Sequence, residues 1–383
     1  MIYTSEGIRV YIHYPFCLSK CPYCAFPSRT NRILEQEYLN ALFREIDTFS
    51  FNRPVYTIYF GGGSPSLMEV ETVEKIISML KKYCTEDAEI SIELKPEDCK
   101  PGFSKKYSLI GINRISIGIQ SFLSQKLKLF RRETLPQDYT PPDDVVISFD
   151  IIIGTVFDDL FFDNEVRAIS TLKPDHISLY PLVLEPGSSF FDNPPDCISG
   201  NIGKQYEKYG EVLLQYGYFR YEASNYCRNE NMICQHSAGY WTNDDFVGFG
   251  VAAHSKVGRE SWHNTFSIAD YIDSTKRGFV DKTDCIVLEE CEYAEQTLLL
   301  GLRLTDGISL ESTLSRTTDS KSIVPKINLL VKNGYVKIEN GFVKPARNIN
   351  FEQCIDLVGW YVNTRNSWKT ILPKRLKSRF SFS

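Results

Sequence analysis

Cys17, Cys21 and Cys24 lie in the run from Tyr11 to Phe26 with the spacing C-x3-C-x2-C. Thiolates so spaced converge from one short loop. An iron–sulfur cube held by three of them keeps one iron open to a small molecule, whereas a cluster that only carries electrons is normally closed by four protein thiolates. Two other readings stay open on the residues alone. A zinc site usually takes four ligands in two separated pairs, and no second pair follows at a matching spacing unless distant cysteines are recruited. The third reading is three unrelated thiols. The remaining cysteines read mostly as small buried hydrophobes or surface thiols; only Cys227 and Cys234 fall in a stretch dense in aromatic and polar residues. The start of the chain shows no basic and apolar leader, so a reducing compartment, and no disulfide framework, is expected.

The loop must be carried by something rigid. Arg9 to Tyr14 is a short alternating strand that delivers the chain into it. Periodic residues then predict a helix over 35–49, a strand over 55–60 ending in Gly61-Gly62-Gly63-Ser64, and a helix over 70–83. Strand, glycine turn, helix is the βα unit of a parallel sheet. The pattern repeats with strands over 89–94, 114–119, 145–153 and 176–184 and with helices near 105–110 and 161–172. Six such units predict an α/β fold, an open partial (β/α)6 barrel. Its site would lie at the carboxyl ends of the strands, where Gln120 and Asp150 also fall. A helix over 205–216 leads into the aromatic-rich stretch Tyr221 to His254. Helices over 293–302 and 324–333 and a hairpin with an Asn340-Gly341 turn predict a smaller α+β, winged-helix-like domain at the C-terminal end. The basic stretch 368–379 reads as a solvated tail.

The 383 residues suffice for one large and one small domain. A formal charge of −5 gives no pull toward nucleic acid, and no segment approaches the roughly 18 apolar residues of a membrane span. A cytoplasmic protein is expected, with peripheral membrane association through a partner still compatible.

The cysteine spacing, with Tyr23 between the second and third thiols, resembles the radical S-adenosylmethionine (SAM) superfamily. The resemblance implies a [4Fe–4S] cluster on Cys17, Cys21 and Cys24 whose open iron chelates SAM. It narrows to the oxygen-independent coproporphyrinogen oxidase group and its HemW haem-chaperone branch through several further runs. These include Gly61 to Ser66, Ser91-Ile92-Glu93, Gly111 to Phe122, His176 to Tyr180, Glu185-Pro186-Gly187 and Tyr221 to Tyr226. By match to the family, Tyr11, Gly62, Gly63, Ser64, Glu93, Gln120, Arg132 and Asp150 would line the SAM region. Taken singly, each has an ordinary structural role open to it: a tight turn, a strand-end carboxylate facing water, an ion pair.

Two functions compete. An oxidase would use the SAM-derived radical to decarboxylate propionates of coproporphyrinogen III; a carrier would bind haem and deliver it to acceptor proteins. The oxidases resemble C-x3-C-x2-C-x-C, and this chain has Phe26 where the fourth Cys would stand. They also carry a substantial segment before the cluster loop. Cys234 to Trp241 resembles the H-N-x-x-Y-W motif of the chaperone branch, which would set His236, Tyr240 and Trp241 against haem as cargo. A packed or hydrogen-bonded His236 is the alternative. His254 is read as structural. Three segments follow: 1–200, the cluster-bearing barrel; 201–283, an extension with the haem segment; and 284–383, the C-terminal domain and tail.

The chain departs from the pattern in places. Ser237 replaces the motif's Asn, and Phe130-Arg131-Arg132-Glu133-Thr134 replaces Leu-Gly-Arg-x-His. Gly154-Thr155-Val156 replaces Gly-Leu-Pro, and Pro136, Pro141 and Pro142 interrupt the usual helix before the Asp150 strand. These changes weigh more against the oxidase, which needs productive radical formation at every turnover. A cluster-bearing remnant without either activity is the third reading.

Overall fold

The computed structural model describes residues 7–316, 318 and 320–346. The basic stretch 368–379 and Cys354 lie outside the described residues. Strands β1 (Ile8–Tyr14), β2 (Val55–Gly62), β3 (Cys84–Leu94), β4 (Arg114–Gln120), β5 (Val146–Ile153) and β6 (His176–Pro181) pair side by side in sequence order, every pair parallel. Between them run α1 (Glu35–Thr48), α2 (Val70–Lys81), α3 (Phe103–Ser108), α4 (Ser124–Phe130), α5 (Val156–Leu160) and α6 (Phe162–Leu172). The six strands are those expected; α4 and α5 are helices the sequence reading did not include. No helix forms over 131–145, the proline-bearing stretch before β5.

Side-chain parity divides the sheet into two faces. Val10, Ile12, Ile58, Ile115, Ile117, Ile147 and Phe149 are buried in one core with Leu42, Val73, Ile76 and Leu80 of the helices. Burial of each such aliphatic side chain contributes about 2 kcal/mol, which fixes the register, because a one-residue slip would turn the whole row over. The alternate positions are polar: Arg9, Tyr11 and His13 on β1, Thr57 and Tyr59 on β2, Glu89, Ser91 and Glu93 on β3, Arg114 and Ser116 on β4, Ser148 and Asp150 on β5. A polar inner face is costly unless its groups find partners. It is where the site lies.

Six further strands extend the sheet to twelve, a feature the sequence reading did not anticipate. β7 (Phe219–Arg220) and β8 (Asn225–Cys227) continue beyond β6. On the other side β9 (Phe246–Phe249) pairs parallel with β1, followed by antiparallel β10 (His254–Val257), β11 (Glu260–Asn264) and β12 (Lys282–Val287). The sheet stays open, and the middle of the chain supplies strands to both of its ends. The 283/284 boundary falls within β12.

Helices α7 (Ser189–Asp192), α8 (Ile202–Gln215), α9 (Gln235–Trp241) and α10 (Ile268–Lys276) belong to this larger body; α10 packs on α1. The smaller C-terminal unit holds α11 (Glu290–Gly301), α12 (Leu310–Leu314), α13 (Ser320–Lys332) and a sheet of β13 (Ile308–Ser309), β14 (Val336–Glu339) and β15 (Phe342–Pro345). It has its own core of Ala294, Leu298, Ile308, Ile327 and Val343. Asn340 and Gly341, both at positive φ, make the two-residue turn of the β14–β15 hairpin.

Candidate functional site

A cavity of about 500 Å³ follows the polar inner face of the sheet, within the size range of small-molecule sites. Every residue singled out from the sequence lines it: Cys17, Cys21, Cys24, Tyr11, Tyr23, Gly62, Gly63, Ser64, Glu93, Gln120, Arg132, Asp150, His236, Tyr240 and Trp241.

The thiol end is built by the loop after β1. The Cys17 N–H donates to Arg29 O at 2.9 Å and the Cys24 N–H to Cys21 O at 3.1 Å, closing the loop on itself. Burial pushes the Cys24 thiol up to about 11, and the neighbouring Cys21 and Cys17 add to the rise, so the three sulfurs share one electrostatic environment. Among the described residues no three His, Cys, Asp or Glu converge closely enough for a single metal ion. A cluster takes one thiolate per iron, which sets its ligands further apart than those of one ion. Tyr23 packs edge-on to Phe130, with ring centroids 5.2 Å apart, and Arg132 reaches Cys21 Sγ at 3.8 Å.

At the strand ends, backbone and carboxylates alternate. The Gly63 N–H donates to Tyr14 O at 2.7 Å and the Ser64 N–H to Phe16 O at 2.9 Å, locking the glycine turn onto the cysteine loop. A Cβ on Gly63 would stand 2.5 Å from the Phe16 carbonyl, and Gly62 sits at φ +114°, so both positions need glycine. Glu93 accepts from Tyr59 Oη at 2.9 Å and from the Gly62 N–H at 3.3 Å; Asp150 accepts from Ser116 Oγ at 2.9 Å. Gln120 closes β4 at φ +64°, a left-handed conformation for a residue with a Cβ. Tyr11 Oη contacts His13 Nδ1 at 3.1 Å. The Arg131 substitution does not displace Arg132. Arg131 takes the left-handed C-cap of α4 (φ +52°) that glycine would otherwise fill, and Arg132 Nη2 donates to Gly118 O at 2.5 Å.

The opposite end is closed by α9, which lies near the amino ends of the strands. His236 is 2% exposed and stacks on Tyr59, with centroids 4.9 Å apart and planes at 24°. Its Nδ1 pairs with Thr57 Oγ1 at 2.7 Å and its Nε2 with Tyr240 Oη at 3.0 Å. Burial, followed by the Arg9 charge, holds the imidazole well below its usual range and hence neutral. Both nitrogens being engaged, His236 serves as a floor tile rather than an open donor. Trp241 carries the Arg303 guanidinium 4.4 Å from its ring centroid.

The cavity also takes Tyr59, Tyr180, Arg220, Glu222, His254 and Arg303, none of them a site candidate from sequence. Tyr59 and Tyr180 share the inward parity of Tyr11 and Asp150, a signal that was present. His254, read as structural, lines the cavity and stands 5.1 Å from the ring of His263. Arg303 comes from the C-terminal unit and had no local signal.

The model of the radical SAM superfamily matches residues 11–140. A heme chaperone HemW from Buchnera aphidicola (subsp. Acyrthosiphon pisum) is 32% identical, the alignment covering 88% of this chain and 93% of that protein. The chain belongs to the HemW family of radical SAM proteins. Its likeness extends to the mitochondrial radical S-adenosyl methionine domain-containing protein 1 of Dictyostelium discoideum, 26% identical over 97% of this chain and 94% of that one. In fold it is similar to the coproporphyrinogen III oxidase HemN of Escherichia coli, with a TM-score of 0.75 and 19% identity over 94% of this chain and 92% of that one. Radical SAM membership of this HemW-family chain implies a [4Fe–4S] cluster and SAM. The residues present fit such groups: three neighbouring thiols, and Ser64 Oγ and Arg132 Nε, both buried beside the cavity without a hydrogen-bond partner among the described residues. Among the described residues no helix is long and apolar enough to cross a membrane.

Proposed function

We propose that this chain is a haem chaperone: it binds haem in the cavity along the inner face of its sheet and passes it to haem-accepting proteins. The observation that carries this reading is the union, in one cavity, of the thiol loop with an aromatic floor of Tyr59, His236, Tyr240 and Trp241, three of which belong to the run resembling the chaperone motif. Flat aromatic faces suit a flat macrocycle. Family membership with a heme chaperone HemW supports the same conclusion.

In this reading Cys17, Cys21 and Cys24 hold three irons of the cluster. Tyr11, Gly62, Gly63, Ser64, Glu93, Gln120, Arg132 and Asp150 form the SAM side, with Tyr23 packed beneath the loop. When bound, the cluster supplies an electron at its open iron. Glu93 and Asp150 offer carboxylate acceptors to the amino or hydroxyl groups of a ligand, and Arg132 offers a permanent cation. The protein works in the cytoplasm, and any membrane attachment is peripheral and made through the acceptor.

The test is an oxygen-free reconstitution of the cluster followed by a haem titration read by absorbance, comparing the parent with His236→Ala. Saturable binding that weakens in the variant is expected. A parent that binds no haem, yet forms 5′-deoxyadenosine with SAM, reductant and coproporphyrinogen, would overturn the chaperone in favour of the oxidase.

A further inference from the structure

At the α9 end of the cavity the charge changes character. Arg303 is 5% exposed, lies 4.4 Å from the Trp241 ring, and arrives from the C-terminal unit directly after α11. Its position is fixed by the backbone: Leu304 bridges to Glu222, and the Thr305 N–H donates to Tyr221 O at 3.0 Å. Arg220 faces the same cavity, half-buried, its Nε donating to Glu222 O at 3.1 Å and its Nη2 to Ala223 O at 2.5 Å. The buried carboxyl of Glu222 feels the charge of both guanidiniums. Burial raises it, while Arg303 and then Arg220 pull it back down. This wall therefore sets two permanent cations near one carboxylate, Arg303 against the Trp241 ring and Arg220 against that of Tyr206.

We infer that Arg303 and Arg220 form the seat for the carboxylate side chains of the tetrapyrrole cargo, and that the C-terminal unit serves to deliver Arg303 to it. The inference rests on the haem reading and deepens it. The planar donor fork of arginine matches a carboxylate in two parallel hydrogen bonds, and a desolvated guanidinium gains most from an anion that arrives with the ligand. Trp241 holds the Arg303 fork in place while presenting an apolar face to the macrocycle. Haem is apolar in its plane and anionic at one edge, and this end of the cavity sets the Trp241 ring beside two guanidiniums.

The experiment titrates cluster-reconstituted full-length protein with haem and with haem dimethyl ester, whose two carboxylates are masked. The parent is compared with Arg303→Gln, Arg303→Lys and Arg220→Gln. The parent should prefer haem by about tenfold or more. Arg303→Gln should lose that preference by weakening haem alone, Arg303→Lys should recover part of it, and Arg220→Gln should give a smaller loss in the same direction. Equal affinity of the parent for both ligands, or equal weakening of both by Arg303→Gln, would overturn the seat while leaving the haem reading intact. A parent that binds neither ligand would overturn both. Should Arg303→Gln not fold, Arg220→Gln and the parent's own discrimination decide the matter.

Discussion

Glu89 of β3 accepts the backbone N–H of His236 at 3.0 Å and that of Gln235 at 3.0 Å, across more than 140 residues of chain, while pairing with Arg114 Nε at 2.9 Å. One carboxylate thus caps the amino end of α9 and neutralises a guanidinium that also donates to the carbonyls of Met232 and Ile233. The floor of the cavity is tied to the sheet by this group. Glu89→Ala leaves Arg114 buried and uncompensated and should lower the unfolding free energy by about 3–5 kcal/mol in urea titration. A change below about 1 kcal/mol would show that α9 is held by packing alone.

Arg131 offers a test with the opposite sign. Its side chain is exposed while its backbone occupies the left-handed region. Arg131→Gly relieves about 1–2 kcal/mol of steric cost against a smaller gain in unfolded-state freedom. The variant should melt higher, by about 1 kcal/mol of stability. A lower melting temperature would mean that the guanidinium makes a contact of greater worth.

Alanine at Cys17, Cys21 or Cys24 should each abolish the visible absorbance and bound iron of the reconstituted protein. Cys234→Ala should keep both, since this thiol is buried at the α9 end, pushed up to about 11 by burial and then by Glu89. Iron loss in Cys234→Ala with retention in Cys21→Ala would reassign the cluster.

Glu45 reports on pH. It is buried beneath β9 and accepts from the Gly250 N–H at 2.8 Å, Asn264 Nδ2 at 2.7 Å and Tyr271 Oη at 2.5 Å, yet burial raises its carboxyl from 4.5 to about 7. A folded value above the unfolded one means that the native state holds the proton more tightly. The stability it contributes is complete below pH 4.5 and is lost as pH rises through 7. Relative to Glu45→Gln, the parent should lose about 3 kcal/mol between pH 4.5 and pH 8. Parallel pH profiles of the two proteins would refute this.

The six parallel strands were legible because each writes its own signal: Ile115, Ile117 and Ile119 alternate with Arg114, Ser116 and Gly118, whereas the short α4 after that strand was not anticipated. The thiol loop and glycine turn were legible for the same reason, being contiguous in sequence. β7 to β12 were not. They are short, from two to six residues, and β12 is largely exposed, so period-two burial had little length in which to show itself. The Arg220–Glu222–Arg303 wall was hidden differently. Arg303 lies some 80 residues from Arg220 and Glu222 and is brought to them by a short backbone bridge. His236 lines the cavity, but its hydrogen bonds to Thr57 and Tyr240 depend on packing that no local pattern encodes.

The pairing of β1 with β9 bears on how the chain reaches this fold. The strand that launches the thiol loop awaits one of its two neighbours until residue 246 has been made, and Glu89 and Arg114 await α9 from residue 235 onward. A nascent chain ending near β6 would therefore expose a bare edge strand and an inner face of half-satisfied charges. Contacts so distant in sequence make for slow closure and for intermediates that associate with one another. The late-made strands are thus also the step that takes the young protein out of reach of aggregation.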